Sequence, residues 1–497
     1  MEVFFMASFD LLECTVEGLH SAIESHEATV EEVVDGYLAR IEQYNPELHA
    51  VVTVNPDARD DAKRLDEDYR KRGGLVGPLH GVPVVVKDQV ETRGIRTTFG
   101  SVVFDSYVPS EDATIIKKLR DAGAVILAKS AMPDFAASWF SFSSVSGETK
   151  NPFALSREPG GSSSGTAVAV TTNLGMIGIG EDTGGSVRVP ASFTGIFGLR
   201  VTTGMISRTG LSPLVHFQDT PGPMARTVKD LARLFDGLVG YDPSDPMTVA
   251  ALYHQAGAGS AALSENALKG TRIGVLRQAF GPEHAAESAP VNARVTETLL
   301  AMKDAGAEII DPVAVPDLDA FLAETAMYAL QSKSDIDRFL RTKPETGGLT
   351  FDEIYRQRQF HEMLDLFHDI AAGPEEPETL PDYFRRRHSQ MRFREAILNV
   401  LAQKRLDALL FPDVQVLPPT WDDLYAGKWT TMTFPTNTLI ASQSGLPALS
   451  MPGGLTDDGL PVGVELIGKP YDEPKLLALA YAYEQIADPR RMPKRYA

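Results

Sequence analysis

Two serine segments set among glycines constrain this chain more than any other feature: Glu158-Pro-Gly-Gly-Ser-Ser-Ser-Gly-Thr166 and Gly180-Glu-Asp-Thr-Gly-Gly-Ser-Val-Arg188. Glycine opens turns that other residues resist and lets other groups come close, so a serine between glycines can be presented to a ligand instead of packed. Ser162 and Ser186 are the serines so placed. A serine becomes a nucleophile only beside a base, and lysine is one recognised base. Lys87 ends the apolar run Val84-Val-Val-Lys87. A lysine at a strand end is ordinarily a solvated terminus. To act as a base it must be neutral, which means lowering its pKa from about 10.4 towards 7–8 at a cost of roughly 4 kcal/mol. Together the three residues point to serine-based hydrolysis without histidine.

Each segment has a competing use. The amides of Asp182-Thr-Gly-Gly-Ser186 can converge on one point as an oxyanion hole, with about 3 kcal/mol lost per donor removed. A surface turn with a helix cap is the more ordinary use of Gly-Gly-Ser, but the following Val187-Arg-Val-Pro190 is apolar. Gly160–Thr166 brushes against the phosphate-loop pattern, yet the lysine required before the threonine is missing. A flexible linker is opposed by Ala167-Val-Ala-Val170, which continues as a buried helix. There are 10 histidines, but no Gly-x-Ser-x-Gly elbow surrounds either serine. His26-Glu27 and His361-Glu362 lack the second histidine of a zinc-protease helix. No calcium loop or dinucleotide fingerprint is present.

The formal net charge of −20 opposes a nucleic-acid or anionic-membrane partner. Cys14 is the only cysteine, which excludes an intrachain disulfide. The opening Met-Glu-Val-Phe-Phe-Met-Ala has no basic n-region, and no run reaches the roughly 18 apolar residues of a membrane span. A cytoplasmic protein is the expectation. Leu11, Val16, Leu19 and Ile23, then Val30, Val33, Val34, Tyr37, Leu38 and Ile41, recur at helical spacing, with Thr29 as N-cap and Glu32 three residues on. Val82–Val86 and Ala124–Leu127 read as buried strands around a helix at Thr114–Ala122, the spacing of a βαβ unit. Loop residues gather at Tyr241-Asp-Pro-Ser-Asp-Pro246. Arg272–Leu276 then reads as a strand and Val291–Ala305 as a helix. Residues 317–405 are helical and rich in aromatics, broken at Gly373-Pro-Glu-Glu-Pro377; the aromatics read as packing, with an apolar cleft as their other use. Strand patterns return at Ala408–Phe411, Ala448–Met451 and Val462–Ile467. One α/β body spanning 1–497 is expected: a helical segment at 8–75, a core at 79–240, a helical insertion at about 317–405 and a return to the sheet at 406–490.

At these residues the chain resembles the amidase signature family. The likeness is carried by Gly81-Val-Pro-Val-Val-Val-Lys-Asp88, Ala122–Lys129, Pro159-Gly-Gly-Ser-Ser163, Asp182-Thr-Gly-Gly-Ser-Val-Arg188, Gly195–Arg200 and Asp219–Arg226, resuming at Gly445–Leu449 and Asp458–Gly468. The resemblance implies a single α/β/α domain around a mixed, largely parallel sheet. It implies Ser186 as nucleophile, Ser162 as proton relay on a cis peptide and Lys87 as base. Backbone amides of Thr183, Gly184, Gly185 and Ser186 would hold the oxyanion, with Asp182 and Arg188 as supports. Met132, Phe135, Trp139 and Phe140, from a stretch that borders the family's cleft, would meet substrate. The implied activity is hydrolysis of small linear or aryl amides through an acyl-enzyme, needing no metal or organic cofactor. Two alternatives stand beside it: carbamate hydrolysis by the same triad, and the role of the glutamine-hydrolysing subunit in a tRNA-dependent amidotransferase. The expected partner is a small amide or carbamate, with a homodimer among the states allowed. The chain departs from the family pattern at three places: Ser164 beside the relay, Glu181 before Asp182, and Arg200-Val201 where Lys-Pro is familiar.

Overall fold

The first long helix forms where a capping box meets an apolar stripe. In this computed structural model, Thr29 accepts from the Glu32 amide while the Glu32 carboxylate takes the Thr29 amide at 2.9 Å. The helix Val30–Leu48 that follows buries Val30, Val33, Val34, Tyr37 and Ile41. The helix before it starts at Val16, not Leu11, because Thr15 caps it through the Gly18 amide. The structure describes residues 9–253 and 257–497; the apolar opening and the first residue of the expected N-terminal helical segment lie outside the described residues.

The strands are for the most part buried runs, rich in β-branched residues at Pro83–Lys87 and without any at Pro221–Ala225. They are β1 Val51–Val54, β2 Pro83–Lys87, β3 Val125–Ser130, β4 Phe142–Ser143, β5 Gly147–Glu148, β6 Ile177–Glu181 and β7 Phe197–Arg200. Then come β8 Pro221–Ala225, β9 Arg272–Leu276, β10 Glu308–Val313, β11 Ala408–Pro412, β12 Ala448–Leu455 and β13 Pro461–Ile467. Apart from the β4–β5 hairpin they make one sheet of eleven strands, ordered β1-β3-β2-β6-β8-β7-β12-β13-β11-β9-β10. The sheet is mixed. Its parallel ladders lie in two runs, β3-β2-β6 and β11-β9-β10, and the strands between pair antiparallel. Helices surround it, giving the α/β architecture that the sequence implied. Strands from both sides of the helical insertion share this sheet.

Two features of the fold position the site. Parallel pairing sets Val86 of β2 against Ile179 of β6, so both strands end side by side, β2 at Lys87 and β6 at Glu181. Loops leaving the carboxyl ends of neighbouring parallel strands converge on one crevice. The second feature is the insertion, five helices between Leu318 and Gln403. Its rings Phe351 and Phe367 pack with Phe99 and Phe135, from the segments after β2 and β3, and with Phe142 of β4 into an aromatic cluster separate from the sheet's own core. Among the described residues no helix is long and apolar enough to cross a membrane.

Phe367 is the hinge pin of that second core, with ring centroids 4.6 Å from Phe360, 5.0 Å from Phe351 and 6.5 Å from Phe135. Phe367→Ala should therefore destabilise the protein by about 3–5 kcal/mol, read as a lowered urea midpoint at constant slope. A loss under about 1 kcal/mol would show that the insertion is anchored elsewhere.

Candidate active site

Lys87 is wholly buried at the end of β2. Its Nζ lies 2.8 Å from Ser162 Oγ, 3.2 Å from the Glu181 carbonyl oxygen and 3.5 Å from Glu181 Oε2. Burial lowers its pKa, and the nearby Glu181 carboxyl works in the other direction. Ser162 follows a cis peptide bond from Gly161. The next residue ties the two serine loops together: the Ser163 amide donates to the Ser186 carbonyl at 3.0 Å, and Ser163 Oγ takes the Glu181 amide at 3.2 Å. Ser186 itself is 4% exposed, at the floor of a narrow cleft.

The loop from Thr183 to Ser186 is built by close approach. A Cβ on Gly184 would sit 2.2 Å from the Tyr328 hydroxyl, and one on Gly185, at φ +138°, 2.0 Å from Thr438 Oγ1. Thr438 Oγ1 donates to the Gly184 carbonyl at 2.8 Å, fixing that peptide plane. The flanking amides are occupied, Asp182 N–H on the Thr220 carbonyl and Val187 N–H on Asp182 Oδ2. Among the described residues, no protein acceptor takes the amide hydrogens of Thr183, Gly184, Gly185 or Ser186. Four successive unpartnered donors in a buried loop are rare, and they are what an oxyanion requires.

Beneath the loop lies a buried charge cluster. Asp182 takes Arg188 Nε and Nη2 at 3.1 and 3.0 Å and Arg200 Nη1 at 2.9 Å. Arg188 reaches on to Glu465 at 2.6 Å and to Ser442 at 2.7 Å. Burial would raise the Asp182 pKa, but the two guanidinium groups outweigh it and hold the carboxyl well below the usual range. Arg200, the departure from the family's lysine, thus becomes a second partner for Asp182.

The cleft above Ser186 is lined by Ser138, Trp139, Leu214, Tyr328, Leu366 and Thr431, none of them charged. Of the four residues expected to meet substrate, Trp139 stands on this lining, edge-on to Tyr328 at 6.2 Å. Met132, Phe135 and Phe140 do not; they are buried, Phe135 beside Phe104 and Phe367, Phe140 beside Phe142 and Phe434. Tyr328 and Leu366 come from the insertion, where nothing in the aromatic pattern separates a cleft residue from a packing one. Gln218 had no signal either: its Nε2 lies 2.6 Å from the Thr183 carbonyl and 3.3 Å from the Tyr328 hydroxyl, joining insertion to loop. Ser164 is buried, and its hydroxyl has no hydrogen-bond partner among the described residues. A wide groove elsewhere, bounded by Arg294, Asp458 and Arg491, contains none of these residues.

The family model Amidase matches residues 32–477. The chain belongs to the amidase signature family. Among curated relatives, the glutamyl-tRNA(Gln) amidotransferase A subunit of Symbiobacterium thermophilum is 35% identical over 488 residues, covering 93% of this chain and 94% of the relative. The same amidotransferase component of Deinococcus deserti is also 35% identical, covering 96% of this chain and 97% of its own. Among solved structures, the native peptide amidase from Stenotrophomonas maltophilia superposes with a TM-score of 0.85 at 31% identity, covering 97% of this chain and 98% of that one. The amidase fold is therefore shared along almost the whole chain.

Asp182 gives the cluster a pH signature. Its native pKa is depressed, so the stability it contributes is present above the unfolded value near 3.9 and is lost as pH falls through the native one. Asp182→Asn should destabilise by roughly 3–5 kcal/mol at pH 7, leaving two buried guanidinium groups underpaired, with the difference from wild type shrinking in acid. A difference constant down to pH 2 would contradict the ionised assignment.

Proposed function

We propose that this amidase hydrolyses a carboxamide through an acyl-enzyme on Ser186. The observation that supports it most is Lys87 Nζ 2.8 Å from Ser162 Oγ, in a loop system pinned to Ser186 by Ser163. As the Ser186 oxygen attacks the carbonyl carbon, its proton passes to Ser162, whose own proton passes to Lys87. The C–N bond then breaks, and the leaving amine takes a proton back along the same path. Water attacks the ester, the proton returns to Ser186, and a carboxylate leaves. The amides of Thr183 to Ser186 hold the negative oxygen of both tetrahedral states, and Asp182 with Arg188 keeps the loop in place.

What becomes of the nitrogen divides two readings. The names of the curated relatives support the amidotransferase component, which the sequence raised as an alternative, better than the free-standing hydrolase of small linear or aryl amides that it put first. A free-standing amidase is favoured by one observation, the uncharged cleft lining, which suits a neutral amide better than a zwitterionic amino acid. The peptide amidase likeness points the same way. No observation favours carbamates, so a matched carbamate serves as a control.

Purified chain should be offered glutamine, a peptide amide, an acyl anilide and the matched carbamate, with Ser186→Ala beside wild type. Hydrolysis should fall by about 10⁴-fold or more in the variant, with its fold intact by circular dichroism. Glutamine turnover that rises with a copurifying partner selects the amidotransferase reading; turnover of the neutral amides by the chain alone selects the other. Undiminished hydrolysis by Ser186→Ala would refute the nucleophile.

A further inference from the structure

We propose that Glu181 is a neutral carboxylic acid, and that the proton it holds leaves Lys87 a free amine. This deepens the reading above, because it rests on Lys87 being the base.

The geometry around Thr183 carries the inference. The Thr183 hydroxyl lies 3.1 Å from Glu181 Oε1 and 2.6 Å from Asp219 Oδ1. A hydroxyl has one proton and cannot donate to two carboxylates. One carboxyl must therefore carry a proton, or two oxygens face each other with nothing between. Asp219 has the environment of an anion: its oxygens accept from the amides of Leu214 and Val215, each at 3.0 Å, and its contact with Thr183 is the shorter one. Glu181 has no such support. Among the described residues no backbone amide donates to its carboxyl, and its only cationic neighbour within 4 Å is Lys87, at the long distance of 3.5 Å. The proton belongs on Glu181 Oε1, donated to Thr183 Oγ1, whose own proton goes to Asp219.

The same assignment satisfies Lys87. A free amine has two N–H groups and one lone pair. The two hydrogens meet the Glu181 carbonyl and Oε2, and the lone pair faces Ser162 Oγ at 2.8 Å, where it can receive the relay proton. An ammonium would spend its third hydrogen on Ser162 and have nothing to accept with. The charges around the pair are Asp182 after β6, Asp219 before β8 and Arg200 of β7. Burial is the largest influence on both groups, raising the Glu181 pKa and lowering that of Lys87, so both are pushed to their neutral forms. During turnover Lys87 gains a proton while Glu181 keeps its own, and Lys87 gives its proton up to the leaving amine. Glu181 is a positioning residue: it sets the state of Lys87 and, through Thr183, orients the oxyanion loop.

Neutron diffraction from deuterated wild-type crystals tests the assignment without relying on turnover, so it stays informative if the triad reading fails. It should show one deuteron on Glu181 Oε1 and two on Lys87 Nζ. In parallel, Glu181→Leu, which keeps no hydrogen bond, should lower kcat/KM about tenfold. Glu181→Gln, which mimics the neutral acid, should recover most of that loss and hold the acid limb of the kcat/KM profile within half a pH unit of wild type. Three deuterons on Nζ beside a bare Glu181 would overturn the proposal. So would a limb displaced by more than half a unit in the glutamine variant, since removing a true carboxylate frees Lys87 of its proton at lower pH, or a glutamine variant as impaired as the leucine one.

Discussion

The exclusion of water from the end of β2 is the constraint on which the rest depends. Lys87, Ser162 and Glu181 are all fully buried, and in such surroundings an isolated charge costs several kcal/mol. An amine held there gives up its proton more readily than one in water, the property that a general base needs. The sheet supplies this through two parallel strands that end side by side, β2 at Lys87 and β6 at Glu181.

Keeping the Thr183–Ser186 loop in shape is a separate problem, solved with charge in place of apolar packing. Its glycines let Tyr328 and Thr438 press in from either side, and a loop so thin has few contacts of its own. Asp182 is held by two arginines, one of which continues to Glu465 on β13, so the loop is bolted to the middle of the sheet. Over it sits the helical insertion, whose aromatic cluster leaves Tyr328 and Leu366 above Ser186. The same core that stabilises the insertion thus narrows the cleft, tying substrate size to the stability of the cover.

Much of this was legible in the residues, and the failures have physical causes. Runs such as Arg272–Leu276 and Ala408–Phe411 are apolar and bounded by turn residues, and they appear as strands at those bounds or within one residue of them. The strand β6 was not readable, because Ile-Gly-Ile-Gly-Glu lacks the β-branched density that marks a buried strand. Lys87, Ser162 and Ser186 stood out because glycines and an abrupt charge at the end of a valine run are unusual in sequence. Gln218 and Thr431 could not stand out: each matters through contacts made by tertiary packing, which leave no periodic trace. Met132, Phe135 and Phe140 show the reverse case, since a bulky apolar stretch near a site looks the same whether it lines the cleft or fills the core behind it.

The central claim is covalent: an acyl group passes through the oxygen of Ser186. The most direct measurement is intact-protein mass spectrometry after rapid acid quench with a slowly deacylating ester or anilide, followed by peptide mapping. The account predicts a single added acyl mass, carried by the peptide containing Ser186 and absent when Lys87 is replaced by methionine. Turnover with no adduct at Ser186, or an adduct on any other residue, would contradict it.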